Sequence, residues 1–530
     1  MNKRKILLAQ QAQIPDDQRL VVIKRDLSSG INTRVHPSQI PEKMAETLEN
    51  VDIGTPGQRK KRPGSVLIGN DVGSDTPQAL HNFEVQGETP QLVMYEDTHA
   101  WKWTGTGNWA ALKTDFTTGS TDVGIISAKE SGLTPDDVII VQNGIDNAFR
   151  IDSDGNAQDL GATTGTGSDS PPKSTVMAWY NNRIWVLKDD LLYWSAAYSA
   201  DYSTAFDDVA DWFRIPVGDE RGIAVTRDTG LVIMGDNAIW GLAPSNTPVN
   251  TDQPQPLVSS VGVVSKKGWC VVADDIYFFA QDGLRSLKRT QQDKLQMGAS
   301  YPLSYALKTE FDAIDWGYID QLSMVYFDNK LFISVPTGAS TYDTWVYYPA
   351  MNAFMTIDGW SPRCWAKYKV SGEENLYYGK QGDGTVYQAW NGYTDEGTTT
   401  SNGTTVTMTE VAREEDFGQP LTYKNGGVLE LEANAAGNYD IDVYAAINGG
   451  SFTLLGSLTL SGSSAPVLPI ALPFTLSDTL VLRENFHLEE LGRFRTLQIK
   501  LINEDAATDD IIVYNYNITT FGEEYEDEQT

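Results

Sequence analysis

Four histidines, two cysteines and 71 acidic side chains are the groups from which this 530-residue chain could build a reactive centre. His36, His81, His99 and His487 form neither an HxH nor an HExxH pair, so the spacing that puts two imidazoles on one metal is missing. His99 lies beside Trp101 in an expected hairpin, where packing is its expected role. Cys270 and Cys364 stand outside any CxxC, which excludes a thiolate zinc site and a disulfide framework and suits synthesis in a reducing compartment. Asp152-Ser153-Asp154-Gly155-Asn156 gathers oxygens as a calcium loop does, but the later Glu of an EF-hand is absent, and a hairpin turn is the stronger reading. Gly161 to Thr175, GATTGTGSDSPPKST, ends like a phosphate loop. The G-x-x-x-x-G-K-[ST] spacing fails, and Pro171-Pro172 would stop the helix that must follow. Glu96-Asp97, Asp189-Asp190 and Asp274-Asp275 fall at expected turns, where Asp favours the backbone geometry. There is no G-x-S-x-G elbow and no S-x-D-x-G-x-x-W box. No catalytic, cofactor or metal set follows, and the chain is expected not to be an enzyme. The cluster that stands out is basic: Arg59-Lys60-Lys61-Arg62, closed by Pro63-Gly64. It reads either as a contact for an acidic neighbour or nucleic acid, or as a solvated charge run on an arm.

The elements that would position these groups are strands. Hydrophobic residues make up 41% and aromatics 10%, enough for sizeable cores. With 46 Gly and 24 Tyr, and much Thr, Ser and Val, the balance favours strands and turns. The net charge is −31, which argues against tight wrapping of nucleic acid and against docking on anionic membrane. No apolar run approaches the roughly 18 residues of a membrane-spanning helix. Ile6 to Ala9 is too short for a signal-peptide core, so no signal peptide is expected.

Residues 65–395 carry an internal repeat of apolar strand, polar turn and returning strand. The first strands begin at 92, 138, 184, 231, 276, 331 and 376, with steps of 46, 46, 47, 45, 55 and 45. Such a pitch predicts propeller blades, seven by this count, with six or eight as neighbouring solutions. Ser65-Val66-Leu67-Ile68 is the candidate closing strand, and the long step is expected to hold an insertion near Pro336 to Asp343. Residues 396–530 break the repeat. Thr398 to Thr407 reads as a linker or exposed hairpin, and the period-two alternation in 427–432, 439–444, 452–455, 497–502 and 511–516 predicts a β-sandwich or jelly-roll-like domain. The tail Glu523 to Glu528 reads as a solvated acidic end. Residues 1–64, with 12 basic and 7 acidic side chains, read as a basic extended arm. In it Leu20 to Ile23 is a short strand, and Pro41 to Leu48 a short helix with proline in its first turn. The fold class is all-β: arm, propeller, sandwich.

The segment from Gly30 to Gly54, through Asn50-Val51-Asp52, and then Arg59-Lys60-Lys61-Arg62-Pro63-Gly64, resembles the opening of tailed-phage (podovirus) tail nozzle or packaged-DNA stabilisation proteins. Glu490 to Ile499 is similar to a segment in their last domain. The resemblance implies a structural virion protein made in the host cytoplasm and located in the virion tail. It implies a ring of this chain, usually six copies, below an adaptor, with tail fibre proteins as further neighbours. DNA passes through such a ring without tight binding, and the genome is retained until ejection. It implies no cofactor and no membrane insertion. An acidic lumen would repel phosphates, and Arg59, Lys60, Lys61 and Arg62 would then clasp an acidic neighbouring subunit or the adaptor. Removing residues 1–64 is expected to abolish attachment and to spare the fold. Two other classes compete: a glycan-binding propeller presenting Trp101, Trp103 and Trp109, and a glycosidase-type hydrolase on the propeller axis.

Overall fold

The computed structural model describes residues 19–522 apart from 25, 74, 166, 249–251, 298–299, 401, 436, 461–480 and 508. The acidic tail lies outside the described residues. Seven small antiparallel sheets follow one another along the chain. Blade 1 is Pro77–Phe83, Gln91–Glu96, His99–Trp103 and Ala110–Lys113; blade 2 runs through Gly124–Lys129, Asp137–Gln142, Phe149–Asp152 and Ala157–Asp159. Blades 3 and 4 occupy 177–214 and 220–259, and blade 6 occupies 323–357. The first strand of each blade abuts the first strand of the next, and that of blade 7, Pro362–Val370, abuts Pro77–Phe83, so the array is a closed ring.

The second strand of each blade explains the repeat. Its side chains alternate between two neighbours, and both faces are buried. Val93 and Tyr95 pack with Ile139 and Val141 of blade 2, whereas Leu92 and Met94 pack with Tyr377 of blade 7. Val138 and Ile140 pack with Ile184 and Val186 of blade 3. Continuous apolar runs such as Val138-Ile-Ile-Val141 are therefore needed, because each residue removed from water contributes on the order of 1.5–3 kcal/mol whichever way it points. Tight turns follow the expected chemistry: Asp189 and Asp190 both take left-handed backbone, at φ 51° and 62°.

Blade 5 differs. It has three strands, Trp269–Val272, Asp275–Ala280 and Gly283–Ser286, and the helix α1 (Leu287–Met297) follows where a fourth would stand, packed on Asp275–Ala280. Helical turns continue to Gln321. This stretch holds the extra residues of the long step. Pro336 to Asp343 does not: Pro336 and Tyr342 are paired across a hairpin in blade 6, leaving only a short loop between them. Blade 7 closes as expected. Its three strands are completed by β5 (Ser65–Ile68), with Val66 opposite Gln388.

The arm is extended, but it does not stand alone. β1 (Arg19–Lys24) and β4 (Arg59–Lys61) both pair with Ile511–Gly522, and β3 (Val51–Asp52) pairs with β4. The segment expected to be a helix, Pro41 to Leu48, is not one: its second half lies in β2 (Ala45–Glu49). A single short helix is marginal by itself, whereas here Met408–Ala412 on one side and Ala353–Ile357 of blade 6 on the other offer pairing, with Ala45 and Leu48 buried. β2 thus joins blade 6 to a C-terminal sheet, making nine continuous strands that end at Thr453–Leu460. The second sheet of the sandwich is β3, β4, Ile511–Gly522, Lys424–Ala435 and Leu482–His487. Leu429, Leu431, Val443, Ile499, Leu501 and Val513 fill the space between the sheets, and their cluster runs unbroken into Phe332 and Trp345 of blade 6. Thr394–Thr399 and Asn402–Thr405 form the expected hairpin, added to blade 7 beside β5.

Candidate functional site

The basic run lies at the joint between the two domains. β4 places alternate side chains inward, so Arg59 and Lys61 are buried, and the turn into Pro63 buries Arg62 as well. Arg59 donates from Nε to Glu410 Oε2 at 2.7 Å and from Nη1 to the Tyr514 carbonyl at 3.2 Å. Lys61 Nζ donates to Asn503 Oδ1 at 2.7 Å and to the Asp505 carbonyl at 2.8 Å. Burial pushes its ammonium down to about 8, with Asp505 opposing the shift. Arg62 uses its whole fork. Nη1 and Nη2 grip Asp395 at 2.8 and 2.6 Å, Nε donates to Asn50 Oδ1 at 2.7 Å, and the remaining hydrogens reach the carbonyls of Pro63 and Asp358. The guanidinium also sits 4.7 Å over the Trp360 ring, whose Nε1 donates to Asp395. Five donors with five acceptors is full satisfaction for an arginine. Lys60 alone points outward, bridging Asp510 at 2.7 Å.

The run is therefore not a solvated charge stretch. The acids met by Arg59 and Arg62 belong to this chain. Burial takes Arg59, Lys61 and Arg62 out of reach of a neighbouring subunit or adaptor, and Lys60 alone retains partial access. Removing residues 1–64 would strip β1–β4 from the two sheets of the sandwich and the Arg62 contacts from Asp395 and Asp358, so the expectation that the fold would be spared does not hold.

Two glycines explain why the arm sequence is so particular. A Cβ on Gly30, at φ +75°, would meet the Phe354 nitrogen at 2.4 Å, and one on Gly64 would meet the Thr394 carbonyl oxygen at 2.0 Å. Asn50, at φ 59°, turns β2 into β3 and donates from Nδ2 to the Thr407 carbonyl at 2.7 Å.

The other sequence candidates resolve into structure. Asp152 accepts from the Asn156 backbone N–H at 2.8 Å and from its side-chain amide at 3.1 Å, so the oxygen-rich loop is a hairpin turn. Among the described residues no three His, Cys, Asp or Glu side chains gather as metal ligands. Gly161 to Thr175 connects blades 2 and 3 with no helix after Pro172. His99 stacks on Trp101 at 5.4 Å, and Trp101 donates to Glu96. Trp103 and Trp109 are core residues packed with Tyr368 and Tyr377, not exposed platforms. Cys270 and Cys364 are free, and burial pushes their thiols up to about 12 and about 11.

A second site was not visible in the sequence. One axial mouth of the propeller opens as a cavity of about 550 Å³. Its residues come from the leading ends of the innermost strands, or the segments just before them, in blades 1, 2, 4, 5 and 7, from the helical turn before blade 6 and from Gln381 of blade 7. Asp122 lies just before blade 2, Lys266 just before blade 5, and Arg221 and Arg363 near the starts of blades 4 and 7. Lys267 donates to Asp122 at 2.9 Å, and Lys266 stands 3.8 Å from the same carboxylate. Burial would raise the Asp122 carboxyl, but Lys267, Lys266 and Arg363 outweigh it and hold it below the ordinary range. Arg221 pairs with Asp320 at 2.8 Å. A glycosidase acid needs a carboxyl raised toward neutrality; Asp122 is held charged and both acids are ion-paired, which suits binding better than acid catalysis. No sequence signal marks these positions, because they come from scattered segments of five blades and one helical turn.

No protein-family model matches the sequence, and no curated protein matches it. Solved structures are similar at low identity: BBS1N, from a complex with ARL6DN (12% identical, TM-score 0.38, 62% of this chain and 98% of that one). Sqt1 of Saccharomyces cerevisiae is 8% identical at TM-score 0.40 over 62% and 99% of the two chains. An exo-β-1,3-galactanase of Phanerochaete chrysosporium is 10% identical at TM-score 0.28 over 86% and 100%. Likeness of this degree bears on no side chain.

Proposed function

We propose that this chain is a structural virion subunit: a tail nozzle protein that assembles with its own copies into a ring, lines the distal DNA channel and retains the packaged genome until ejection. One observation carries the reading. The segment that resembles phage nozzle proteins, Gly30 to Gly64, is the segment that welds propeller to sandwich, through β2–β4, the Arg62 knot and the close approaches at Gly30 and Gly64. A conduit that holds pressurised DNA needs domains that do not shift against one another, and a sheet continuous through both meets that need. The charge of −31 supports passage without adhesion, since phosphates gain nothing from an acidic wall. The adaptor contact is then formed by surfaces other than Arg59, Lys61 and Arg62.

Negative-stain imaging and native mass measurement of the purified full-length chain test the reading. A closed ring with a central hole, at six times 58.4 kDa, is expected. A protein that stays monomeric at every concentration, alone and with tail extract, overturns it.

A further inference from the structure

We infer that Lys61 and Asn503 condense with each other, joining the N-terminal arm to the C-terminal sheet through an isopeptide bond that the fold itself makes. This goes beyond the ring-forming role and does not depend on it.

Lys61 differs from the rest of its run. Arg59, Lys60 and Arg62 each meet a carboxylate, of Glu410, Asp510 and Asp395. Lys61 is 5% exposed, yet its Nζ donates to a neutral carboxamide, Asn503 Oδ1 at 2.7 Å, and to the Asp505 carbonyl at 2.8 Å. Asn503 ends the strand Leu497–Asn503 and is 2% exposed. Its Nδ2 donates to the Asp440 carbonyl at 2.8 Å and to Asp505 Oδ2 at 3.1 Å. Asp505 is held in turn, since the same Oδ2 accepts the Asp440 backbone N–H at 2.5 Å. A carbonyl bond is about 1.2 Å long, so Asn503 Cγ lies within about 4 Å of the amine, close to the separation from which an oriented pair reacts.

These are the parts that amide exchange requires: a desolvated amine, a carbonyl carbon in reach, and a carboxyl against the leaving nitrogen. An ammonium cannot attack, and burial acts on that as well. It brings Lys61 down to about 8, with Asp505 and Asp395 opposing and Arg62 assisting, so about one amine in ten is neutral at pH 7, against about one in three thousand for an ordinary lysine.

Lys61 first gives its ammonium proton to water. The Nζ lone pair then attacks Cγ, and the Nζ–Cγ bond forms while the carbonyl pair moves onto Oδ1. Nζ sheds one more proton, and Nδ2 takes one from the half-buried Asp505, which refills from water. The pair on Oδ1 falls back, the Cγ–Nδ2 bond breaks with its electrons on nitrogen, and ammonia leaves. Nothing is oxidised or reduced. A buried cation becomes a neutral amide, which removes the cost of holding an ammonium out of water. The bond spans 442 positions of sequence.

Intact mass measurement of the purified full-length chain, held at about pH 8, reads the reaction. Conversion to a species lighter by about 17 Da, the mass of ammonia, is expected. A protease digest of it should contain a branched peptide joining Lys61 to Asn503. Asp505→Ala should slow the conversion at least about tenfold, and the urea-unfolded chain should not convert, because only the fold brings the two side chains together. An unchanged mass overturns the inference. So does a loss of ammonia without the branched peptide (a succinimide at Asn503), a urea-unfolded chain that links as fast as the native one, or Asp505→Ala converting at the wild-type rate. The wild-type digest needs no variant, so the test stands if Asp505→Ala fails to fold.

Discussion

Replacing Arg62 by Met tests the weld between the domains. The change removes a cation but keeps most of the side-chain volume, so the loss is electrostatic. It leaves Asp395 buried at 5% exposure with the Trp360 N–H as its remaining strong donor, and it leaves Asn50 Oδ1 with only the Asp358 backbone N–H at 3.2 Å. Breaking a buried pair from one side costs about 3–5 kcal/mol, and the lost hydrogen bond to Asn50 about 0.5–1.5 kcal/mol more. These terms share one site and do not add fully, so the expected loss is about 5 kcal/mol. That is a large part of the roughly 5–15 kcal/mol that holds a folded domain together. Urea unfolding followed by tryptophan emission reads it, because Trp360 sits directly under the guanidinium. The double variant Arg62→Met, Asp395→Leu removes both charges and is expected to recover at least half of the loss. Arg62→Lys keeps the charge but not the fork, and should fall between wild type and the Met variant. A single-variant loss below about 1 kcal/mol, or a double variant no better than the single, refutes the account.

Further outcomes follow from the same geometry. Lys60→Ala, two residues away but only half-buried, should cost no more than about 1 kcal/mol in the same titration. Gly30→Ala should lower the melting temperature by several degrees, since neither the left-handed backbone nor the Phe354 main chain admits a methyl group. Burial lowers His81 from 6.5 to about 4 while its Nε2 meets Ser127. The unfolded chain therefore takes up a proton first as pH falls, and stability drops between about 6.5 and about 4; His81→Gln should lose that part of the melting-temperature slope, with wild type and variant parallel above pH 7. Burial raises both thiols, so at pH 9 a thiol reagent should label the urea-unfolded chain rapidly and the native protein slowly. Stability should decline as pH rises above about 9, where only the unfolded thiols ionise.

The blades were legible because a strand buried on both faces writes its burial as an uninterrupted apolar run, and seven such runs at constant pitch leave few architectures. Val138 to Val141 and Leu231 to Met234 are such runs. The closing strand was legible for the same reason. The arm was not. Pro41 to Leu48 has local helix signals, and its strand is imposed by Thr409 to Ala412, more than 360 residues further along. The burial of the basic run was hidden likewise: Arg59 meets a partner 351 positions away, Arg62 one 333 away and Lys61 one 442 away. A charge cluster looks solvated until its counter-ions are located. The axial mouth was invisible because it draws scattered residues from five blades and from the helical turn before blade 6, and no window of sequence contains it.

The pairing of the first strand with the last has a consequence for how the chain is made. At about 5–20 residues per second, β1 leaves the ribosome roughly 25–100 s before Ile511–Gly522 emerges to receive it. β5 waits for Val386–Ala389 in the same way, so blades 1 to 6 can form and stack while the circle is still open. During that interval the newborn N-terminus carries unpaired strand edges, which are the usual templates for mispairing between chains. Arg59, Lys60 and Arg62 wait in the same interval for their carboxylate partners Glu410, Asp510 and Asp395.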